Sequence, residues 1–388
     1  MRVATVAAAL MLTIGCTGSV AQGAQKSPVA SAAGDANAPS PSPSDPPLST
    51  VSFACRLPVS KATSGGDYVA YAGGFLSFPA ATFQSDPAGG MHSRYLEGGL
   101  ATDQAPILYG SPQAGPPFYD AALHRWVPAS AAQSTADGAF YAYGTGINLI
   151  KEQPSVRVVD VARGTEKTFT PAVPGMETPA GFSVVDFDAS GVYFMTWRGD
   201  SYGRGVWLLN PTTGGVRALT NITDVMKVRG GFAWVGRLDP RDPSPPSGVA
   251  NRHLYNSIVR VDLNSGAEVI WYYNPGHSVW IKGLDSRDHP VVTVATAPDY
   301  PIDTSEIRLI DTSGSRGTLV YDGGGHSGTW SPEALWFTEP QADRDRLWFG
   351  SARGLYLYTP GSGLQKVLAL PAPLPGADVT IAPAGFCR

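Results

Sequence analysis

Val156-Arg157-Val158-Val159-Asp160, followed by a turn closing on Gly164, is the stretch on which the fold is read. Its apolar residues suit a pleated, partly buried strand. The terminal carboxylate can accept backbone N–H groups of the turn ahead, and glycine takes the positive-φ position that returns the chain. The pattern recurs as Val206-Trp207-Leu208-Leu209-Asn210 with Gly214, Ile258-Val259-Arg260-Val261-Asp262 with Gly266, and Ile307-Arg308-Leu309-Ile310-Asp311 with Gly314. Leu355-Tyr356-Leu357-Tyr358-Thr359 with Gly363 is a degenerate copy. Phe118-Tyr119-Asp120, leading into Trp126 with His124 in the glycine's place, reads as an earlier one. The copies stand roughly 40 to 52 residues apart, the length of a four-stranded propeller blade.

A second strand precedes each copy, as in Val192-Tyr193-Phe194-Met195-Thr196-Trp197, Phe232-Ala233-Trp234-Val235 and Arg346-Leu347-Trp348-Phe349. Before several of these stands a tight polar turn, such as Asp188-Ala189-Ser190-Gly191. The expected fold is all-β: a single β-propeller over residues 51–388, of about six four-stranded blades. Seven is the alternative, because residues 60–117 are irregular, with an insertion around Asp86-Pro87-Ala88-Gly89-Gly90. The strand around Asp378-Val379-Thr380-Ile381 is expected to pair with N-terminal strands and close the ring. The turns Thr135-Ala136-Asp137-Gly138 and Asp186-Phe187-Asp188-Ala189-Ser190-Gly191, with the hairpins above, resemble the TolB-like and related six-bladed propellers across the folded region. That resemblance implies an architecture and says little of function.

Residues 1–16 carry one Arg followed by an apolar run ending in small residues, the pattern of an export signal. Leu12-Thr13-Ile14-Gly15-Cys16 resembles the lipobox of bacterial lipoproteins, with Thr13 where that family prefers Leu, and implies lipidation at Cys16. Ordinary cleavage after Ser19-Val20-Ala21 is the alternative. Residues 17–50, rich in Ser, Pro, Ala and Gly, have too few large apolar side chains to offset ordering entropy and read as a tether. No later stretch is apolar for long enough to span a bilayer, so any membrane association is through the N-terminal anchor. Cys55 and Cys387, at the two ends of the folded region of an exported chain, read as a disulfide.

Of 388 residues 43% are hydrophobic and 15% charged, with a net charge of −4 and no basic block, which argues against nucleic acid as a partner. In a propeller the loops entering the inner strands surround one funnel. Pro275-Gly276-His277-Ser278 and Gly324-Gly325-His326-Ser327 match one another there, Pro174-Gly175-Met176-Glu177 and Pro375-Gly376-Ala377-Asp378 fit the same slot, and Asp224 takes it in the intervening blade. Trp280 and Trp330 follow the two histidines and are placed to stack on a ligand. The ligand candidates are therefore Glu177, Asp224, His277, Trp280, His326, Trp330 and Asp378, with His277 and His326 the residues that could hold a divalent metal. Asp186-x-Asp188-x-Ser190-Gly191 opens like a calcium loop, but Trp197 stands where the closing Glu belongs, so a hairpin turn is expected. The proline-rich loop from Asp239 to Tyr255 is a second candidate surface. These features predict an extracytoplasmic, monomeric binding or scaffolding module, without a cofactor, that engages a protein, peptide or glycan through its loop face. The alternative is a metal-assisted hydrolase or lyase centred on the funnel.

Overall fold

The computed structural model describes residues 45–65, 68–96, 99–104, 117–145, 153–173, 179, 181–198, 201–242, 255–296, 304–325, 337–370 and 378–388. All of them fall in one compact unit, Ser40–Arg388. The export signal, Cys16 and most of the tether lie outside the described residues.

Six antiparallel sheets follow one another along the chain as propeller blades. Blades 3 to 6 have four strands each, numbered by position in the ring: Gly181–Asp188 to Val216–Thr223, Val225–Arg229 to Glu268–Tyr273, Ser278–Leu284 to Thr318–Gly325, and Gln341–Asp343 to Gly363–Ala369. Blade 2 has three strands, Phe140–Gly144, Val156–Asp160 and Thr165–Phe169, with a single bridge from Ser134 to Tyr141 on its inner side. In blade 1 the C-terminal strand Asp378–Pro383 is innermost and pairs with Cys55–Gly65, Val59 opposite Pro383 and Ser64 opposite Asp378. The two ends of the chain thus close the ring within one sheet, and the disulfide between Cys55 and Cys387, Cα atoms 5.5 Å apart, joins them covalently.

The hairpin chemistry acts as the residues dictate. Asp160 Oδ1 accepts from Arg163 N–H at 3.0 Å, Asn210 Oδ1 from Thr212 and Thr213 at 2.9 and 3.0 Å, and Asp262 Oδ1 from Asn264 and Ser265 at 2.8 and 2.9 Å. The closing glycines Gly164, Gly214, Gly266, Gly314 and Gly363 hold φ between 62° and 76°. The earliest copy behaves differently from expectation. Phe118–Asp120 and Arg125–Val127 do form an Asp-capped hairpin, with His124 at φ 52°, but as a separate two-stranded sheet. The corresponding return in blade 1 is made by Tyr68–Phe78 and Thr82–Ser85, across a turn with a cis Phe78-Pro79 bond and Ala81 at φ 51°. The insertion at Asp86 fastens the separate hairpin to blade 1: Trp126 Nε1 donates to Asp86 Oδ2 at 3.0 Å, and a Cβ on Gly89 would lie 2.7 Å from the Trp126 ring.

The core lies between blades, each apolar cluster drawing on two successive sheets. Val158 and Phe169 of blade 2 pack with Phe182 and Phe194 of blade 3, and Trp234 and Ile258 of blade 4 with Val279 and Val292 of blade 5. At the seam Trp348 and Leu357 of blade 6 meet Leu57, Leu76 and Ile381. This is the sheet-on-sheet burial that stabilises a propeller. Residues 45–50, read from sequence as the end of the tether, lie against blade 6: Leu48 forms a parallel bridge with Lys366, and Ser49 N–H donates to Lys366 O at 2.7 Å. Asp45 accepts from Tyr356 Oη at 2.8 Å and pairs with Lys366.

Candidate functional site at the inner-strand mouth

Asp224 and His277 stand at the entries to successive inner strands, immediately ahead of Val225–Arg229 and Ser278–Leu284. Asp224 adopts φ 64°, a left-handed conformation that aspartate tolerates better than most residues. Its Oδ1 accepts from Tyr255 Oη at 2.8 Å and its Oδ2 from Thr223 Oγ1 at 2.9 Å. His277 is half-buried, with Nδ1 2.9 Å from Pro275 O. A carbonyl only accepts, so Nδ1 carries the proton and Nε2 is the nitrogen left to accept or ligate. Trp280 is also half-buried, paired in register with Thr293. Asp378 opens the closing strand opposite Ser64. Glu177, His326 and Trp330 lie outside the described residues. Among the described residues no group of three or more His, Cys, Asp or Glu side chains is placed to hold a metal ion. At Asp188 the side chain accepts from Ser190 N–H at 2.7 Å, the hairpin-turn role expected of it.

Between these two entries the structure places a buried polar network that sequence reading did not find. Asn256, fully buried, accepts from Asp239 N–H at 2.7 Å through Oδ1 and donates through Nδ2 to Asp242 Oδ2 at 2.7 Å. The same Asp242 oxygen accepts from Gly276 N–H at 3.0 Å, in the turn that carries His277. Asn256 O accepts from Asn274 N–H at 2.8 Å, and Tyr255 O from Val279 N–H at 2.7 Å. Asp239, itself buried, is gripped by Arg241 through Nε at 2.9 Å and Nη2 at 2.5 Å. Those hydrogen bonds hold its carboxyl down to about 2. Residues 239–242 and 255–256 are the two ends of the long proline-rich loop, so one network anchors both ends to the mouths of blades 4 and 5. Beside it a groove of about 520 Å³ has Val259 and Ile270 along its wall and the Arg237–Glu268 pair, 3.1 Å, across it. Leu238 and Ile270 are 51% and 42% exposed there, which gives the groove an apolar surface open to solvent.

Charge also gathers on the inner strands. Asp186 in blade 3 is 1% exposed, and burial pushes its carboxyl up to about 6 despite Arg229 of blade 4, 3.4 Å away. Lys227 Nζ of blade 4 lies 2.7 Å from Glu339 Oε1, at the entry to blade 6. Between them in the ring, burial pushes Lys282 of blade 5 down to about 8, with Glu339 opposing the shift.

No family model matches the chain, and no curated protein matches it. Solved structures similar in fold include TolB from Acinetobacter baumannii, with 10% identity, a TM-score of 0.40, and 85% of this chain against 67% of that one. Acylaminoacyl peptidase from Pyrococcus horikoshii is 11% identical with a TM-score of 0.42, over 82% of this chain and 46% of that one. The β-propeller domain of the Trilobed protease from Pyrococcus furiosus, whose topology is described as an open velcro, is 9% identical with a TM-score of 0.39, over 79% of this chain and 83% of that one. The six-bladed β-propeller is established by the chain's own sheet order and strand pairing.

Proposed function

We propose that this protein is an exported binding or scaffolding propeller that engages a protein, peptide or glycan on the loop face bearing Asp224, the Pro275–His277 turn and the loop that leaves at Asp242. The observation that carries the reading is the Asn256 network. It spends buried polar groups on fixing both ends of one long loop beside two inner-strand mouths. A loop so positioned by a rigid scaffold is where recognition is usually built. The export signal, lipidation at Cys16 and the tether belong to the same proposal and would hold the domain off a membrane surface.

The test is retention of a partner from a cell-envelope fraction by the full chain, beside Asn256→Ala and His277→Ala/His326→Ala, each checked for folding by circular dichroism. Retention lost in a folded Asn256→Ala supports the reading, and retention indifferent to the loop face overturns it. Metal content by plasma mass spectrometry on the same samples separates the enzyme. About one metal per chain, lost in the double histidine variant, would favour the metal-assisted hydrolase or lyase.

A further inference from the structure

The inner strands of blades 3, 4 and 5 share an irregularity. Register slips between Val184 and Asp186, between Val225 and Lys227, and between Ile281 and Gly283, leaving Val185, Met226 and Lys282 unpaired at equivalent places. Such bulges re-aim a side chain. Val185 packs among Val225, Val228 and Val235 of the next blade. Met226 likewise reaches blade 5, where its sulfur accepts from Ile281 N–H at 3.4 Å. The third bulge puts Lys282 in that position, next to the Gly283 backbone that approaches blade 6. The residue after each bulge is Asp186, Lys227 and Gly283 in turn. At Gly283 the backbone comes so close to blade 6 that an added Cβ would lie 2.8 Å from Pro340 and 3.4 Å from the Glu339 side chain. Blade 5 therefore presents no side chain there, and Lys227 pairs with Glu339 from two blades away.

Lys227 thus meets the Glu339 carboxylate at 2.7 Å, and Lys282 stands one residue before the Gly283 backbone that packs against the same glutamate. Glu339 is 58% exposed while the Lys227 side chain is 26% exposed, so the anion is the loosely held partner. An ion pair that is half in water contributes little and exchanges readily. We propose that Lys227 and Lys282 form a carboxylate-binding site, in which the Glu339 carboxylate is an internal stand-in that an incoming carboxylate displaces. The ligand class is a small organic acid or the free C-terminus of a peptide, each presenting the group that Glu339 already presents. The site is separate from the loop network, so its failure leaves the loop-face reading intact.

The experiment is acylation of the full chain by a water-soluble amine-reactive ester, with site-by-site labelling rates from mass spectrometry. Succinate should slow labelling of Lys282 and Lys227 against chloride at equal ionic strength. It should leave Lys167, bound to the Pro211 and Thr212 carbonyls, unaffected. Glu339→Gln removes the stand-in and should lower the half-protecting succinate concentration about tenfold, a sign that a structural ion pair would not give. Lys227→Met should raise it by about as much at Lys282. A short peptide with a free C-terminus, beside its amidated form, separates the sources. Protection by the free form alone identifies a chain terminus, and protection by succinate without either peptide identifies a small acid. Protection no better than chloride, or unchanged in Glu339→Gln, overturns the site.

Discussion

The seam of the ring and the sector of blades 3 to 5 are held by different chemistry. At the seam, strands from opposite ends of the chain pair, a disulfide joins Cys55 to Cys387, and apolar residues from Leu57 to Ile381 fill the space between blades. In blades 3 to 5 the chain is continuous, the inner strands are bulged, and buried polar groups such as Asp186, Asn256, Asp239 and Asp242 sit among the apolar clusters. The contrast follows from loop entropy. Only the seam must bring residues 332 apart together, and there the chain uses a covalent bond. The continuous sector can accommodate polar groups that shape loops and the inner wall instead of adding apolar burial.

Breaking the seam should have the largest effect. Replacing both cysteines by Ala should lower unfolding free energy by as much as about 5 kcal/mol in the loop-entropy model, less where the denatured chain stays compact. Urea denaturation measures it, and an unchanged midpoint would show that strand pairing alone holds the ring. In the polar sector Asn256→Ala strands Asp239 N–H in a buried site and removes one of the donors to Asp242 Oδ2, an expected loss of about 2 kcal/mol by the same measurement.

A pH titration sharpens the contrast further. Asp186 has its folded-state pKa raised to about 6, above its unfolded value near 3.8, so the folded chain takes up the proton first as pH falls. Its contribution is complete below about pH 4 and lost as pH rises through 6. Asp186→Asn should therefore abolish a gain on the order of 2 kcal/mol between pH 7 and 4. Asp239, depressed to about 2, acts oppositely and only below about pH 4. The smallest effect is expected at the edge of blade 6, where Asp45→Ala removes the partner of Tyr356 and Lys366 and should cost about 1 kcal/mol. A cost as large as that of Asn256→Ala would place residues 45–50 among the blade's structural parts.

What was legible in sequence was what is local. An Asp or Asn bonding two or three residues ahead, with a positive-φ glycine at the close, repeats the same short-range geometry and announces blades 2, 3 and 4. Blade 1 hides because its return, at Pro79 to Ala81, uses neither residue type. Residues 118–127 show the converse: the same local turn forms there without making a blade edge. Asp224 and His277 were found from loop position, but their partners were not. Tyr255 reaches Asp224 across 31 residues and Gly276 reaches Asp242 across 34, distances that only sheet register supplies. Lys227 and Glu339 are 112 residues apart and meet only because a ring brings blade 4 round toward blade 6.

The bond between Cys55 and Cys387 also changes what a cut can do. It makes the folded region a covalent circle, so a protease that nicks any loop between the two cysteines opens the circle without releasing a fragment. A single cut in the Asp239-to-Tyr255 loop yields one molecule whose blades stay linked in order through the disulfide. Such a chain would migrate as one species until reduced and as two afterwards. New termini could likewise be placed in that loop by design, with the old ones left joined by sulfur.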